Sequence, residues 1–184
     1  SLSYMLIKNQ DAVGLYAFDS NVKKIIQPKS TKGHLSTILS EIEKLEAANK
    51  TNIAQAIHEC ADKTHKKGLV IVISDLLDDE HKILTSLKHL LYKGHEVIVF
   101  HILDNQEINL DFNDRVKFVD LENKHTIIAD TRQLNKIYKK KISKFIDFYK
   151  KNCFKKKIDY VNITTNQSLD IALSEYIMKR KKLY

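Results

Sequence analysis

Three aspartates follow an apolar run in the segment Gly68–Lys82, "GLVIVISDLLDDEHK". Asp75 comes directly after the apolar run, and Asp78 and Asp79 follow it closely. Carboxylate oxygens at the end of a buried strand are among the ligands that Mg²⁺ takes in proteins. Thr51, just before a predicted helix, adds a hydroxyl oxygen. These residue types allow a site for a hard divalent cation, with Thr51 and Asp75 as its candidate ligands.

Each of these side chains also has a structural role open to it. Thr51 or Asn52 is suited to cap the helix that follows, because a side-chain oxygen there accepts an otherwise unpaired backbone N–H. Asp78 or Asp79 is placed to cap the next helix in the same way. From spacing alone, these capping roles are favoured over metal binding.

The rest of the chain holds no pattern typical of a catalytic centre. It has no glycine-rich phosphate loop, no HExxH and no paired CxxC, and Ser74 lacks the flanking glycines of a nucleophile elbow. The eight histidines are scattered, and we expect most of them at the surface or at an interface. Cys60 and Cys153 lie far apart, which predicts free thiols in a reducing compartment. We therefore predict a cytoplasmic protein that is not an enzyme.

The net charge of +8 is concentrated in one segment. Residues 131–157 contain eleven basic side chains against one acid, a charge of +10, which leaves −2 for the rest of the chain. Such a face can attract nucleic acid or an acidic protein. Because the segment lacks aromatic interleaving and a known motif, the solvated side of an amphipathic helix is favoured over a nucleic-acid site. No apolar run approaches the roughly 20 residues that a membrane span requires.

Apolar periodicity predicts alternating strands and helices. Strands are predicted at Val13–Phe18, Val22–Gln27, Leu69–Ser74, Glu96–Leu103, Val116–Glu122, His125–Ala129 and Ile158–Thr164. Helices are predicted at His34–Glu46, from Asn52 onward, at Glu80–Lys93 with Gly94 as C-cap, at Thr131–Asn152 and at Leu169–Lys179. The run Leu69–Ser74 is apolar throughout, which is typical of a parallel strand covered on both faces. The predicted fold class is therefore α/β, a single three-layer domain over residues 1–184 with a mostly parallel sheet and helices on both faces.

Five segments resemble a known family of bacterial proteins, in the same order. They are "SLSYMLIKNQDAVGLYAFD", "KGHLSTILSEIEKLEAANKTNIAQAI", "LVIVISDLLDD", "KGHEVIVFHILD" and "IDYVNITTNQSLDIALSEYI". Over nearly its whole length the chain is similar to domain-of-unknown-function family fifty-eight. The core of that family resembles a von Willebrand factor A domain, which implies a Rossmann-like sheet.

The resemblance also implies a metal-ion-dependent adhesion site. In von Willebrand factor A domains the ligands are an Asp-x-Ser-x-Ser loop after the first strand, a threonine from a second loop, and an aspartate at the end of a later strand. Thr51 matches the threonine and Asp75 matches the aspartate, so the resemblance favours a metal-site origin over a purely structural role for both residues. The chain contains no Asp-x-Ser-x-Ser. We therefore expect Mg²⁺ in the full-length protein and weak or no binding of it by this chain.

The resemblance places that loop and the first strand upstream of Ser1, because the chain begins inside the helix that follows them. We expect a domain that is incomplete at its N-terminus and lacks its first central strand. Buried backbone groups left unpaired cost about 1–3 kcal/mol each, and an open edge invites pairing. We expect either closure between the strands Val13–Phe18 and Leu69–Ser74 or self-association.

In function, the resemblance favours a non-catalytic protein-interaction module. Proteins of this family are commonly encoded beside MoxR-type AAA+ ATPases, which implies an adaptor or chaperone-like role with such an ATPase. The alternative is a metal-dependent hydrolase or nuclease that uses Asp75, Asp78 and Asp79, with the lysine-rich helix binding phosphates.

Overall fold

The computed structural model describes residues 2–19, 22–45, 52–109, 116–119, 126–129 and 131–168. Its helices are α1 (Leu2–Lys8), α2 (Lys32–Glu43), α3 (Ile53–Lys63), α4 (Glu80–Tyr92), α5 (Asn105–Asn109) and α6 (Thr131–Lys155). Its strands are β1 (Val13–Phe18), β2 (Val22–Lys29), β3 (Leu69–Ser74), β4 (Glu96–Leu103), β5 (Val116–Val119), β6 (Thr126–Ala129) and β7 (Asp159–Thr164). Contacts divide the chain into two compact units, one of Ser1–Lys66 with His81–His89 and one of Lys67–Glu80 with Leu90–Tyr184.

The first unit contains an antiparallel hairpin of β1 and β2, together with α1, α2 and α3. His34 of α2 is buried, and its Nε2 lies 2.8 Å from the carbonyl oxygen of Val13 at the start of β1. The backbone N–H of Asn52 donates to the carbonyl oxygen of Asp19, just after β1. These two bonds attach both α2 and α3 to the same strand.

The second unit is built on a three-stranded parallel sheet in the order β3-β4-β7. β4 is the central strand, and its residues 97–101 are all buried. β-branched side chains favour such a strand because they pack well on a pleated surface. Helices connect the parallel strands and flank the sheet, and β5 and β6 form a separate antiparallel hairpin. The predicted α/β class with a parallel sheet is therefore confirmed.

The prediction that β3 is covered on both faces is wrong. Among the described strands only β4 pairs with β3, so β3 is an edge strand of its sheet. Leu69 is 40% exposed and Ile73 is 59% exposed, and both project from the same face. The described pairings join β1 to β2, so the expected closure between β1 and β3 is not found among them. Self-association through such an edge stays a prediction.

Two helices bury less of their apolar stripe than their periodicity predicts. In α2 the buried residues are His34 and Ile38, while Leu39 and Ile42 are 49% and 45% exposed. In α6, Tyr149 is fully buried, but Ile137, which shares its apolar stripe, is 60% exposed. Periodicity indicates which residues share a face of a helix, and it does not indicate how much of that face another element covers.

Predicted boundaries agree with the described elements to within three residues. The short helix α5 has no counterpart among the predicted elements. The predicted last helix, Leu169–Lys179, lies outside the described residues. No helix within the described part of the chain is both long enough and apolar enough to cross a membrane.

Candidate functional site

Asp75 lies where the sequence predicts it, directly after β3 at the carboxyl end of the parallel sheet. The neighbouring strands β4 and β7 end at Leu103 and Thr164, at the same edge. Ligands of open α/β sheets collect at this edge because the loops that follow the strands can present side chains there. Asp75 is exposed, so its carboxylate is available at the surface.

The side chain of Asp75 is held by its own loop. Its Oδ1 accepts the backbone N–H of Leu77 at 3.2 Å and the hydroxyl of Ser74 at 3.4 Å. The Ser74 hydroxyl oxygen in turn accepts the N–H of Leu76 at 3.1 Å. This is a tight turn of the Asx type, in which a carboxylate replaces a backbone acceptor. Ser74 therefore has a structural role in the turn.

The turn brings Leu76 into an unusual backbone conformation. Its φ is +55°, in the left-handed region, which costs a non-glycine residue about 1–2 kcal/mol. The Leu76 side chain is fully buried, and its carbonyl oxygen accepts the N–H of Asp78 at 2.9 Å and the hydroxyl of Tyr149 at 3.5 Å. Burial of the leucine side chain, worth about 1.5–3 kcal/mol, offsets that strain.

A buried histidine fixes the peptide that carries Asp75. His101 of β4 is fully buried, with Nε2 at 2.8 Å from the Asp75 carbonyl oxygen and Nδ1 at 2.6 Å from the Tyr160 hydroxyl. A carbonyl only accepts, so Nε2 carries the hydrogen and Nδ1 of the neutral ring accepts the Tyr160 O–H. Burial lowers the pKa of His101, which favours this neutral ring. One chain of hydrogen bonds therefore links β7, β4 and the loop after β3.

The groups around His101 are neutral donors at physiological pH. Burial raises the pKa of Tyr149 and of Tyr160 well above the usual range of a phenol, so both retain their O–H. Burial likewise raises the pKa of Cys153, near the end of α6, to about 11, which leaves an unreactive thiol. Cys60 and Cys153 are both free thiols, as the sequence predicts.

A second carboxylate lies at this edge, immediately after β4. Asp104 Oδ2 accepts the hydroxyl of Thr165, which follows β7, at 2.6 Å, and Oδ1 accepts the N–H of Gln106 at 2.8 Å. The Thr165 hydrogen bond, followed by that of Gln106, holds the pKa of Asp104 below its usual value. The carboxyl end of the sheet therefore carries at least two carboxylates, Asp75 and Asp104.

Sequence reasoning missed His101, Tyr160 and Asp104. The expectation that most histidines lie at the surface or at an interface also fails to anticipate that His34, His95 and His101 are buried. A signal for His101 exists, since it interrupts the apolar strand "EVIVFHIL", and a buried imidazole requires a partner. The partners themselves could not be found locally, because Asp75 and Tyr160 are distant in the chain.

The other predicted site residues have different outcomes. Thr51 lies outside the described residues. The next residue, Asn52, caps α3, since its side-chain oxygen accepts the N–H of Gln55 at 3.1 Å. Asp78 and Asp79 immediately precede α4, and Asp78 Oδ1 accepts the N–H of Asp79 at 2.7 Å.

The described residues fit a cation site only in part. The carboxylate of Asp75 is a suitable oxygen ligand for Mg²⁺, but Mg²⁺ takes six ligands and one carboxylate does not form a cage. Within the described ranges, no group of three or more His, Cys, Asp or Glu side chains could hold a metal ion. Among the described residues, Asp75, Asp78 and Asp79 therefore do not form such a group.

Two solved structures share the fold of this chain. The crystal structure of the conserved hypothetical protein BatB from Bacteroides thetaiotaomicron matches with a TM-score of 0.58 and 22% identity, over 98% of this chain and 85% of that one. An aerotolerance-related membrane protein from Bacteroides fragilis NCTC 9343, solved with multiple mutations to serine, matches with a TM-score of 0.55 and 17% identity, over 95% and 83%. Identities this low establish the fold alone.

No curated protein matches the sequence. The family described as "Protein of unknown function DUF58" matches residues 1–144, more than three quarters of the chain. The chain belongs to this DUF58 family.

Proposed function

We propose that this protein is a non-catalytic protein-interaction module that contacts its partner at the carboxyl end of the β3-β4-β7 sheet. The observation that supports this most directly is Asp75, an exposed carboxylate directly after a parallel strand. Its loop is held by local hydrogen bonds and, through His101, by a buried one. A binding residue gains affinity when its position is fixed before the partner arrives.

The finer proposal is a von Willebrand factor A-like domain with a metal-ion-dependent adhesion site. Asp75 would supply a carboxylate ligand and Thr51 a hydroxyl ligand, and the remaining ligands would come from residues other than the described ones. A bound Mg²⁺ would accept a carboxylate of the partner as its last ligand. Asp104 strengthens the negative potential at this edge, which favours a divalent cation.

The role of His101 supports the proposal of a non-catalytic module. It is the histidine bonded to the Asp75 loop, and both of its ring nitrogens are occupied by protein partners. Its buried, neutral ring has no surface from which to take a proton from a substrate. A general base must reach the proton that it removes, so His101 acts by holding the loop.

For the partner we propose a MoxR-type AAA+ ATPase, with the protein as its adaptor or chaperone-like companion. A pull-down of that ATPase from the same organism, with the full-length protein as bait, tests this. Asp75→Asn keeps an oxygen that accepts the Leu77 N–H and removes the charge. We expect capture to require Mg²⁺ and to fall at least about ten-fold in this variant, the usual cost of losing a charged contact.

The matched control is Asp79→Asn, the same change four residues later in the loop. It should leave capture within about two-fold, because Asp79 is assigned to the start of α4 and surface charges at a rim contribute little. Capture that survives Asp75→Asn, or that a chelator leaves unchanged, would overturn the adhesion site. Equal losses in both variants would assign the effect to the net charge of the loop.

Self-association through the edge of β3 is part of the same proposal. Leu69 and Ile73 of β3 are exposed. Among the described strands β3 is bonded to β4 on one side, and its other side is an open edge that another chain can pair with. We expect light scattering of the 184-residue chain to show dimers, and Ile73→Lys to return them to monomers. A monomeric chain at all concentrations would contradict this part of the proposal.

A further inference from the structure

The amino ends of the parallel strands form a second edge of the same sheet. β3, β4 and β7 begin at Leu69, Glu96 and Asp159, and the register pairs Leu69 with Glu96 and Ile98 with Asp159. The turns that enter the three strands therefore lie side by side, because adjacent strands are about 4.8 Å apart. These turns carry a set of basic and aromatic residues, here called the amino edge: Lys67, Tyr92, Lys93, Phe154, Lys155, Lys156 and Lys157.

At one part of this edge, a rigid turn presents Phe154. The N–H of Ile158 donates to the Cys153 carbonyl at 3.0 Å, and the N–H of Lys157 donates to the Phe154 carbonyl at 3.1 Å. This pair of bonds is the Schellman ending of a helix. Cys153 and Ile158 are buried and anchor the turn, while the Phe154 ring is 84% exposed.

The end of α4 has the same construction and presents Tyr92. The N–H of His95 donates to the Leu90 carbonyl at 3.1 Å, and the N–H of Gly94 donates to the Leu91 carbonyl at 2.9 Å. Leu90 and His95 are buried on either side, while Tyr92 is 90% exposed. The anchored ends of α4 and α6 therefore each direct one aromatic ring into solvent, at the same edge of the sheet.

Lysines lie in the same turns as the two rings, with Lys93 next to Tyr92 and Lys155 next to Phe154. The Lys67 side chain runs across the α4 turn, since a Cβ built on Gly94 would lie 2.9 Å from Lys67 Cε. The N–H of Glu96 bonds to the carbonyl of Gly68, which ties this turn to the next. The edge holds five lysines against two acids, Glu96 and Asp159. Its formal charge is therefore +3.

Helix chemistry explains only part of this arrangement. Cations at a helix C-terminus are stabilised by the helix dipole, which accounts for lysines at the ends of α4 and α6. It does not account for Lys157 at φ +58°, where glycine would avoid the strain of the left-handed region. It also does not account for two almost fully exposed aromatic rings, since phenylalanine is among the residues most often buried.

We propose that the amino edge binds an anionic lipid surface. The lysine amines would lie at the headgroup phosphates, and the rings of Tyr92 and Phe154 would enter the interface between them. Aromatic rings are enriched at membrane–water interfaces, and lysine stems lie along apolar surface while their amines reach the charged layer. The lysines are complementary to the charged headgroup layer of such a surface, and the exposed rings are complementary to the more apolar layer beneath it.

Lipid is favoured over nucleic acid by the kind and placement of the rings. Single-strand binders stack successive bases on aromatic platforms along a basic groove. Here each ring projects from the end of a different helix, so the two rings do not line one continuous groove. This surface lies about 20 Å from Asp75, the length of a six-residue strand, so the inference does not depend on the proposed adhesion site.

Flotation of the chain with vesicles tests the proposal. We expect binding to vesicles of phosphatidylcholine with phosphatidylglycerol, and little binding to phosphatidylcholine alone. Each lysine near an anionic surface strengthens binding about five-fold, so Lys155→Gln, Lys156→Gln and Lys157→Gln together should weaken it about a hundred-fold. Phe154→Ser should weaken binding about ten-fold through loss of apolar burial.

The matched control carries the same charge change elsewhere on α6. Lys140→Gln, Lys141→Gln and Lys144→Gln remove three exposed lysines and should cost no more than about three-fold, because surface charges farther from the membrane are screened. An equal loss in both triple variants would overturn the assignment to this edge. Binding that is indifferent to Phe154→Ser would overturn the insertion of the ring.

Fluorescence measures directly how deeply the side chain at position 154 enters the membrane. The chain contains no tryptophan, so Phe154→Trp introduces a single tryptophan at the edge, whose emission can be excited apart from that of the tyrosines. We expect its emission to shift to the blue with anionic vesicles and to be quenched by brominated acyl chains. An unshifted emission with vesicles, together with quenching by a single-stranded oligonucleotide, would replace lipid with nucleic acid as the partner.

Discussion

The two ends of the β3-β4-β7 sheet differ in what they do with their polar and aromatic side chains. At the carboxyl end, His101, Tyr149 and Tyr160 are turned inward and hold the loop of Asp75 by hydrogen bonds. At the amino end, Tyr92 and Phe154 point into solvent from anchored turns. The first arrangement stabilises one geometry of a loop, whereas the second leaves apolar area for something outside the chain to cover.

The charges of the two ends also differ. Asp75 and Asp104 follow β3 and β4 at the carboxyl end, while lysines dominate the turns at the amino end. A parallel sheet allows this separation because every strand enters at one edge and leaves at the other. Cations are therefore attracted to one end of the unit and anions to the other.

The largest effect should follow from breaking the buried hydrogen bonds at the carboxyl end. His101→Leu leaves the Tyr160 hydroxyl and the Asp75 carbonyl without their partner, at about 1–3 kcal/mol for each buried group. We expect urea unfolding to show a loss of about 2–6 kcal/mol in the free energy of unfolding.

Two further variants sharpen this prediction. Adding Tyr160→Phe removes the stranded hydroxyl, so the double variant should lose less than the sum of the two single losses. His101→Gln retains an N–H donor and should cost less than His101→Leu. Purely additive losses would show that the two side chains do not interact in solution.

The stability contributed by His101 at the carboxyl end should depend on pH. Burial holds the pKa of His101 below its ordinary value of 6.5, so the unfolded chain takes up a proton before the folded chain does. The stabilisation is therefore fully present above pH 6.5 and is lost as the pH falls below it, by at most about 1.4 kcal/mol per pH unit.

Urea unfolding at about pH 7.5 and about pH 5.5 measures this loss, because these values lie roughly one unit above and below the ordinary pKa of 6.5. His101→Gln should show a smaller loss because glutamine does not titrate, whereas His65→Gln, at an exposed histidine, should match the parent chain. Equal pH dependence in His101→Gln and the parent chain would mean that folding does not lower the pKa of His101.

The amino end allows a stabilising substitution. α4 ends with Gly94 at φ +86°, and α6 ends with Lys157 at φ +58° in the equivalent position. Lys157→Gly should raise the free energy of unfolding by about 0.5–1 kcal/mol, because glycine adopts this conformation without strain. Lys156→Gly, one residue earlier and not at positive φ, should lower it instead. A destabilised Lys157→Gly variant would contradict the left-handed turn.

Local patterns could predict the elements and the position of Asp75, but they could not predict what covers each element. Leu69 and Ile73 are as apolar as the residues of β4, yet they are exposed because β3 is seen to pair on one side only. The apolar face of α2 was predicted from its period, and Leu39 and Ile42 on that face are exposed. Burial depends on neighbours that are distant in the chain, which periodicity does not encode.

The same reason explains the gaps in the candidate site. Asp75 could be found because a strand end is a local feature of the sequence. His101 and Tyr160 were missed because their hydrogen bonds span 26 and 59 residues, from Asp75 to His101 and from His101 to Tyr160. The exposed Phe154 was also not anticipated, because the predicted helix ends at Asn152 and Phe154 lies just beyond it.

The smallest effect on stability should come from Phe154, and it tests the contrast between the two ends most directly. Phe154→Ser should change the free energy of unfolding by no more than about 0.5 kcal/mol, since the ring is 84% exposed. Cys153→Ser, one residue earlier, places a hydroxyl in a fully buried position and should cost about 1–3 kcal/mol. If both substitutions cost the same in urea unfolding, the Phe154 ring is packed in solution. The amino edge would then stabilise the fold as the carboxyl end does, and it would present no apolar surface to a membrane.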